Sequence, residues 1–221
     1  MKYFLIPPDA DADFVCQMEM VVDAYTRPYD PLHVLVCMDE SPNQLIGEFV
    51  KSYVDSKGVR TEDYEYIRNE TASIFLANEP LTGEMLVEVR ERHTMKEWVV
   101  FMVLIAEKYP DALTITIVMD NLSTHKASAF YKFLPPAIAK ALVDKFRFVY
   151  TPKHGSWLNM AEIGLHVLNR QCLNRRIDNL ETMDEEVAFW LKDKMAHKKP
   201  INWKFDLSTA REKMRRLYPK I

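Results

Sequence analysis

Apolar residues recur along the chain at two different periods, and the changes from one to the other divide it into elements. Phe14, Val15, Met18, Val21, Val22 and Tyr25 fall three and four apart, which predicts an amphipathic helix over 12–26. The stretch RPYDPLH interrupts that spacing with two prolines, and HVLVCMD follows as a nearly continuous apolar run, the pattern of a central strand covered on both faces and closed by Asp39. Residues 43–63 are mixed and polar and read as a long loop beside that aspartate. YEYIRNETASIFLANE and EMLVEVRE predict two antiparallel strands turned at Pro80, Leu81, Thr82 and Gly83. MKEWVVFMVLIAEKY predicts a helix, with Thr94 as its N-cap and Glu97 in capping-box register.

TITIVMD reads as a second buried strand, closed by Asp120. Residues 126–145 predict one or two helices interrupted at Pro135-Pro136, and FRFVY supplies a further strand. Ser156 is the expected cap of a helix whose apolar stripe runs Leu158, Ala161, Leu165, Leu168 and Cys172, with Glu162 one turn in. NLETMDEEVAFWLKDKMAHKK adds a helix with acids early and lysines late, as the helix dipole favours. INWKFDLSTAREKMRRLYP reads as a short extended segment and a closing helix. The order predicts an α/β fold, a mixed sheet flanked by helices. It divides into an N-terminal packing helix within 1–30, a main body over 31–200 and a C-terminal extension helix over 201–221, all one structural unit.

Composition narrows the class. With 221 residues, 48% of them apolar, the chain has enough material for a substantial core. No apolar run approaches the roughly 20 residues of a membrane span, and the amino terminus lacks a cleavage-site pattern, so the expectation is a cytoplasmic protein with no membrane partner. Cys16, Cys37 and Cys172 form no CxxC pair and sit among apolar neighbours, as buried free thiols do. The net charge of −3 is unevenly spread: residues 163–221 hold 13 Lys and Arg against 8 Asp and Glu, a balance of +5, which leaves −8 for residues 1–162. An acidic part followed by a basic one suits a polyanion met through local patches, and equally a solvated helical surface.

The chemistry lies in three acids. Asp39 and Asp120 at strand ends and Glu162 on a helix can meet in space, and carboxylates gathered without a Cys or His cluster suit a hard divalent cation such as Mg²⁺. Two such ions roughly 3.5–4 Å apart can activate a water or hydroxyl and assist the leaving oxygen of a phosphodiester, with Asp39 as the bridging ligand. Each acid also has a plainer reading, a turn or helix cap for the aspartates and a dipole-favoured solvent residue for Glu162.

VCMDESPNQLIGE, YEYIRNETA, VMDNLSTHKASAFY and YTPKHGSWLNMAEIGLHVLNRQCLNRRI together resemble the catalytic region of DDE transposases, in the bacterial insertion-sequence branch of the Tc/mariner superfamily. The resemblance spans nearly the whole chain and is most specific in TPKHGSWLNMAE. It implies an RNase H-like fold, a metal-binding triad of Asp39, Asp120 and Glu162, and Mg²⁺ or Mn²⁺, two ions, as cofactor. It further implies hydrolysis at transposon ends, attack of a freed 3′ hydroxyl on target DNA, a homodimer holding two DNA ends, and a nucleoid-associated location.

Neighbouring residues take supporting roles in the same frame. Asn121 and His125 lie just past the second aspartate, where they orient a ligand, contact a phosphate or cap the next helix, and Glu40 points to the face opposite Asp39. Lys153, His154, Ser156 and Asn159 offer donors near a helix start, a place for backbone phosphate. Trp157 either stacks on an unpaired base or anchors in the core; Arg170, Arg175 and Arg176 either track DNA or are solvated. No counterpart of the family's helix-turn-helix modules is expected here, so end recognition would come from elsewhere, with the chain either a second frame joined to a DNA-binding frame of the same element or a truncated remnant. A non-catalytic DNA-binding remnant and a hydrolytic nuclease without strand transfer stand as alternatives.

Overall fold

The computed structural model describes residues 11–50, 53–61 and 64–219; the expectation for the extreme amino terminus lies outside them. A sixteen-residue strand, β1 (His33–Glu48), runs through the middle of the sheet. Its Val34–Met38 run is buried on both faces because adjacent side chains enter opposite layers. Before it comes α1 (Ala12–Thr26), capped by the Asp11 carboxylate, which accepts from the Asp13 and Phe14 N–H groups. After it come two short paired strands, β2 (Tyr53–Val54) and β3 (Arg60–Thr61), then the hairpin β4 (Tyr66–Glu79) and β5 (Glu84–Arg90), turned through Gly83 at φ 80°. The helix α2 (Met95–Lys108) starts at Thr94, whose hydroxyl accepts from the Lys96 N–H and donates to Glu97.

The second half alternates: β6 (Thr114–Met119), α3 (Phe130–Phe133), α4 (Pro136–Lys145) and β7 (Phe146–Tyr150). Then follow α5 (Ala161–Leu168), α6 (Leu180–Ala196) and α7 (Leu207–Lys213). Strand order is β5-β4-β1-β6-β7, with β4 and β5 antiparallel to their neighbours and β6 and β7 parallel. This mixed sheet flanked by helices is the RNase H-like arrangement.

Alternation along β1 sorts the core into two layers. Val34, Val36 and Met38 face α2, α3 and α4, together with Phe75, Ile117, Trp98 and Phe130. Leu35 and Cys37 face α1, α5, α6 and α7, together with Leu76, Leu168, Trp190 and Ala210. The C-terminal piece is part of this second layer: Trp203 packs edge-on to Tyr25 at 5.1 Å and Phe205 to Trp157 at 5.8 Å.

Several expectations need correcting. Residues 43–48 are strand, not loop, since β1 continues past Asp39 paired with β4 alone. Pro42 is tolerated there because β6 has already left β1 after Cys37, so its missing N–H falls on the unpaired side. Ser156 caps no helix: residues 156–158 form a 3₁₀ turn, and α5 begins at Ala161, whose N–H is met by the Asn159 side chain. Cys16 is exposed where Cys37 and Cys172 are buried.

Candidate active site

The strand order alone brings two of the acids together. β1 and β6 run parallel as far as Cys37 and Val118, and two residues beyond that last pair stand Asp39 and Asp120, near enough for the Asp120 charge to bear on Asp39. Asp39 is thus not at a strand's end but at the point where β6 diverges from β1, which opens the sheet at its parallel edge. By alternation its side chain enters the α5 layer, where Glu162 stands in the first turn of α5. Burial pushes the Asp39 carboxyl up to about 7, a hydrogen bond from the Glu40 N–H opposes that rise, and the charges of Asp120, Glu162 and Glu40 add to it.

Glu40 enters the opposite layer and meets His125, which is 1% exposed and stacked on Trp98 at 5.5 Å. The imidazole spans two acids, with Nδ1 2.7 Å from Asp120 Oδ1 and Nε2 3.6 Å from Glu40 Oε2. Burial works against its protonation, but the Asp120 hydrogen bond and the charges of Glu40 and Asp120 prevail and raise it to about 9. His125 therefore carries a proton at neutral pH and holds Asp120 through one oxygen. The Tyr150 hydroxyl, donating to the His125 carbonyl at 3.0 Å, fixes the segment from below.

Among the described residues no group of three or more His, Cys, Asp or Glu side chains is close enough to grip one metal ion. The acids converge without forming a finished ligand set, a spacing that their mutual repulsion favours. The donor set is all oxygen and its net charge is negative, which fits a hard divalent cation.

The loop 151–160 carries Glu162 to this edge. Thr151 continues the sheet by donating to the Met119 carbonyl at 2.9 Å, His154 adopts a left-handed φ of 61°, and Gly155 passes so near Pro152 that a Cβ would lie 2.5 Å from its Cγ. Lys153, His154 and Ser156 are exposed on this loop and Asn121 is exposed beside it. Asn159 is not an available donor: it is 2% exposed, with both ends of its amide bonded inside the protein. Trp157 is half-buried against Phe205, as an anchor would be.

The three arginines do not share a helix face. A π-helical turn, Asn169–Leu173, ends the segment, leaving Arg170 exposed on it while Arg175 and Arg176 lie beyond. Arg175 pairs with Glu186, and Arg176 donates to the Glu65 carbonyl at 3.3 Å and lies over the Tyr66 ring. Sequence reasoning missed Tyr25, whose hydroxyl donates to the Leu158 carbonyl at 2.7 Å and accepts from the Met160 N–H at 3.3 Å. Its only signal was a hydroxyl within an apolar stripe.

Among curated proteins, no sequence matches this one. Solved structures do. The chain is similar to the Mos1 mariner paired end complex with Mn, at TM-score 0.52 and 17% identity over 90% of this chain and 60% of that one. It is similar to the Mos1 complex with Mg at 0.53 and 14%, over 88% and 59%, and to the Mos1 strand transfer complex at 0.52 and 18%, over 90% and 59%. At these identities the likeness bears on the fold, and the chain spans about 60% of the length of the Mos1 chains. The family model described as DDE superfamily endonuclease matches residues 34–184, a span that contains Asp39, Asp120 and Glu162. With more than half its length matched, this chain belongs to the DDE superfamily endonucleases.

Proposed function

We propose that the chain is the catalytic part of a transposase, a divalent-metal-dependent endonuclease and strand transferase that cuts DNA at the ends of a mobile element and joins the freed 3′ hydroxyl to target DNA. The observation that carries this reading is the placement of the acids: the Asp39 side chain leaves β1 where β6 diverges, on the face where Glu162 opens α5, and the charges of Asp120 and Glu162 both bear on its carboxyl. Such a group gains most when a cation arrives.

Asp39, Asp120 and Glu162 would hold Mg²⁺ or Mn²⁺, with Asp39, on the central strand, as the shared ligand of two ions. When bound, the ions supply activation of a water or hydroxyl and neutralise charge growing on the phosphoryl oxygens. The chain's own residues do the rest. His125 fixes Asp120 by one oxygen and balances part of the surplus negative charge. The α5 helix delivers Glu162 from the layer that Asp39 faces. Lys153, His154 and Ser156, exposed on the loop leading to Glu162, would meet DNA phosphates beside the cut.

The Mos1 complexes support the same reading in their Mn, Mg, paired ends and strand transfer. Two copies of this chain would hold two DNA ends, with a helix-turn-helix module recognising the terminal sequence. The test is cleavage and joining of labelled DNA ends in Mg²⁺ or Mn²⁺, by the chain alone and fused to such a module. Products are expected to require metal and to fall at least about a hundredfold in each of Asp39→Asn, Asp120→Asn and Glu162→Gln. Joined DNA supports the transposase, nicked DNA alone makes the protein a nuclease, and products that survive the substitutions overturn the triad.

A further inference from the structure

Asn159 differs from every other polar residue on the loop before Glu162 in being buried with its amide bonded at both ends. Its Nδ2 donates to the Met38 carbonyl at 2.9 Å, and its Oδ1 accepts from the Ala161 N–H at 3.1 Å. Met38 immediately precedes Asp39, and Ala161 immediately precedes Glu162. One side chain therefore joins the central strand to the first turn of α5 at the residue next to each acid. Around it the loop is held from the other side: Tyr25 grips Leu158 and Met160, and its ring is fixed against Trp203. Met160, at the N-cap position of α5, gives no side-chain cap, so the Asn159 amide supplies the side-chain bond at the helix start.

We propose that Asn159 is the positioning residue of the acidic site, setting where the Glu162 carboxylate lies relative to Asp39 and thereby the affinity for a divalent cation. This rests on the reading that Asp39 and Glu162 share that cation. Asn159 touches neither metal nor DNA; it acts through the backbone of the two residues beside the ligands. Side chains that orient ligands in this way typically alter metal affinity by roughly 10–100-fold when removed.

The experiment is a Mn²⁺ titration without DNA, read by the electron paramagnetic resonance signal of free Mn²⁺, with thermal melting recorded on the same samples. The proteins are the parent, Asp39→Asn, Asn159→Ala and Asn159→Ser, the last two also on a Glu162→Gln background. Serine keeps an acceptor for the Ala161 N–H but is too short to reach the Met38 carbonyl, so it carries the test if the alanine variant does not fold. The expected result is Mn²⁺ binding weakened roughly 10–100-fold in both Asn159 variants with cooperative melting retained, and by less than about threefold on the Glu162→Gln background, because the effect passes through Glu162. Parental affinity in Asn159→Ser would reduce the residue to a local cap and overturn the proposal. Equal losses on both backgrounds would do so too, by making the effect a general loosening. A parent that binds no Mn²⁺, or binds it no better than Asp39→Asn, overturns the metal-site reading itself, and this inference with it.

Discussion

Asp39 is an ionisable group that the folded protein disfavours in its charged form. Its folded pKa of about 7 lies above the ordinary 3.8. The folded state therefore keeps the proton longer than the unfolded chain, and ionisation opposes folding increasingly as pH rises from 3.8 to about 7, then by a constant amount. Removing the charge should stabilise the metal-free protein. Asp39→Asn is expected to gain about 1–3 kcal/mol at pH 7.5, which for a chain of this size is roughly 3–8 °C in melting temperature, with no gain at pH 3.5. A melting temperature that does not rise would show that the surrounding acids do not press on Asp39. That Asp39, Asp120 and Glu162 approach one edge of the sheet was legible in the sequence, because apolar runs lead into both aspartates and an apolar helical stripe accompanies the glutamate. The roles of Asn159 and Tyr25 were not, since a buried polar tie is defined by its partners, and Met38 and Leu158 lie more than a hundred residues away from them in the chain.

Among the elements, α5 packs closely on the sheet at Gly164. A Cβ there would lie 2.9 Å from Leu76 Cδ2 and 3.1 Å from Met85 Cε, and Leu76 is fully buried with little room to retreat. Gly164→Val is expected to lift the helix and cost about 1–3 kcal/mol by overpacking, measured by chemical denaturation. Parental stability in that variant would mean that the helix yields freely and that its seat does not determine where Glu162 stands. Period and caps made most elements readable, as at Thr94 and the Pro135-Pro136 break. They failed where tertiary pairing overrode local signals. Asn43 and Gln44 look like loop, yet β4 pairs them into β1 opposite Ala72 and Thr71. Arg170, Arg175 and Arg176 look like a helical series, yet the π turn separates them.

Across the whole molecule the two ends of the described chain meet. Arg211 on α7 pairs with Glu19 on α1 at 2.8 Å, and Tyr218 donates to the same carboxylate at 2.6 Å. The Arg211 bond, against some burial and with help from Tyr218, lowers Glu19 from 4.5 to about 2. A lowered carboxyl contributes stability that is complete above pH 4.5 and lost as pH falls towards 2. Arg211→Ala should therefore melt below the parent at pH 6, with the gap narrowing steadily to pH 2; a gap independent of pH would assign the contact to packing alone. The mixed sheet followed from the order of strands and helices, whereas the return of the last helix onto the first depends on contacts between chain ends that no local pattern encodes.

The neighbours Asp39 and Glu40 enter opposite layers only because β1 keeps its parity from His33 onwards. One residue inserted between those points would exchange the layers of the two acids, putting Asp39 on the side of His125 and Trp98 and Met38 where Asp39 now faces α5. Two inserted residues would restore the facing. The single irregularity in the β1–β4 register falls between Gln44 and Ile46, downstream of both acids, where a miscount alters only the outer ribbon. Length variation is thus tolerable from that bulge outward and damaging ahead of it, so anyone splicing a tag, linker or loop into this protein should cut beyond Gln44 and leave the count up to Glu40 unchanged.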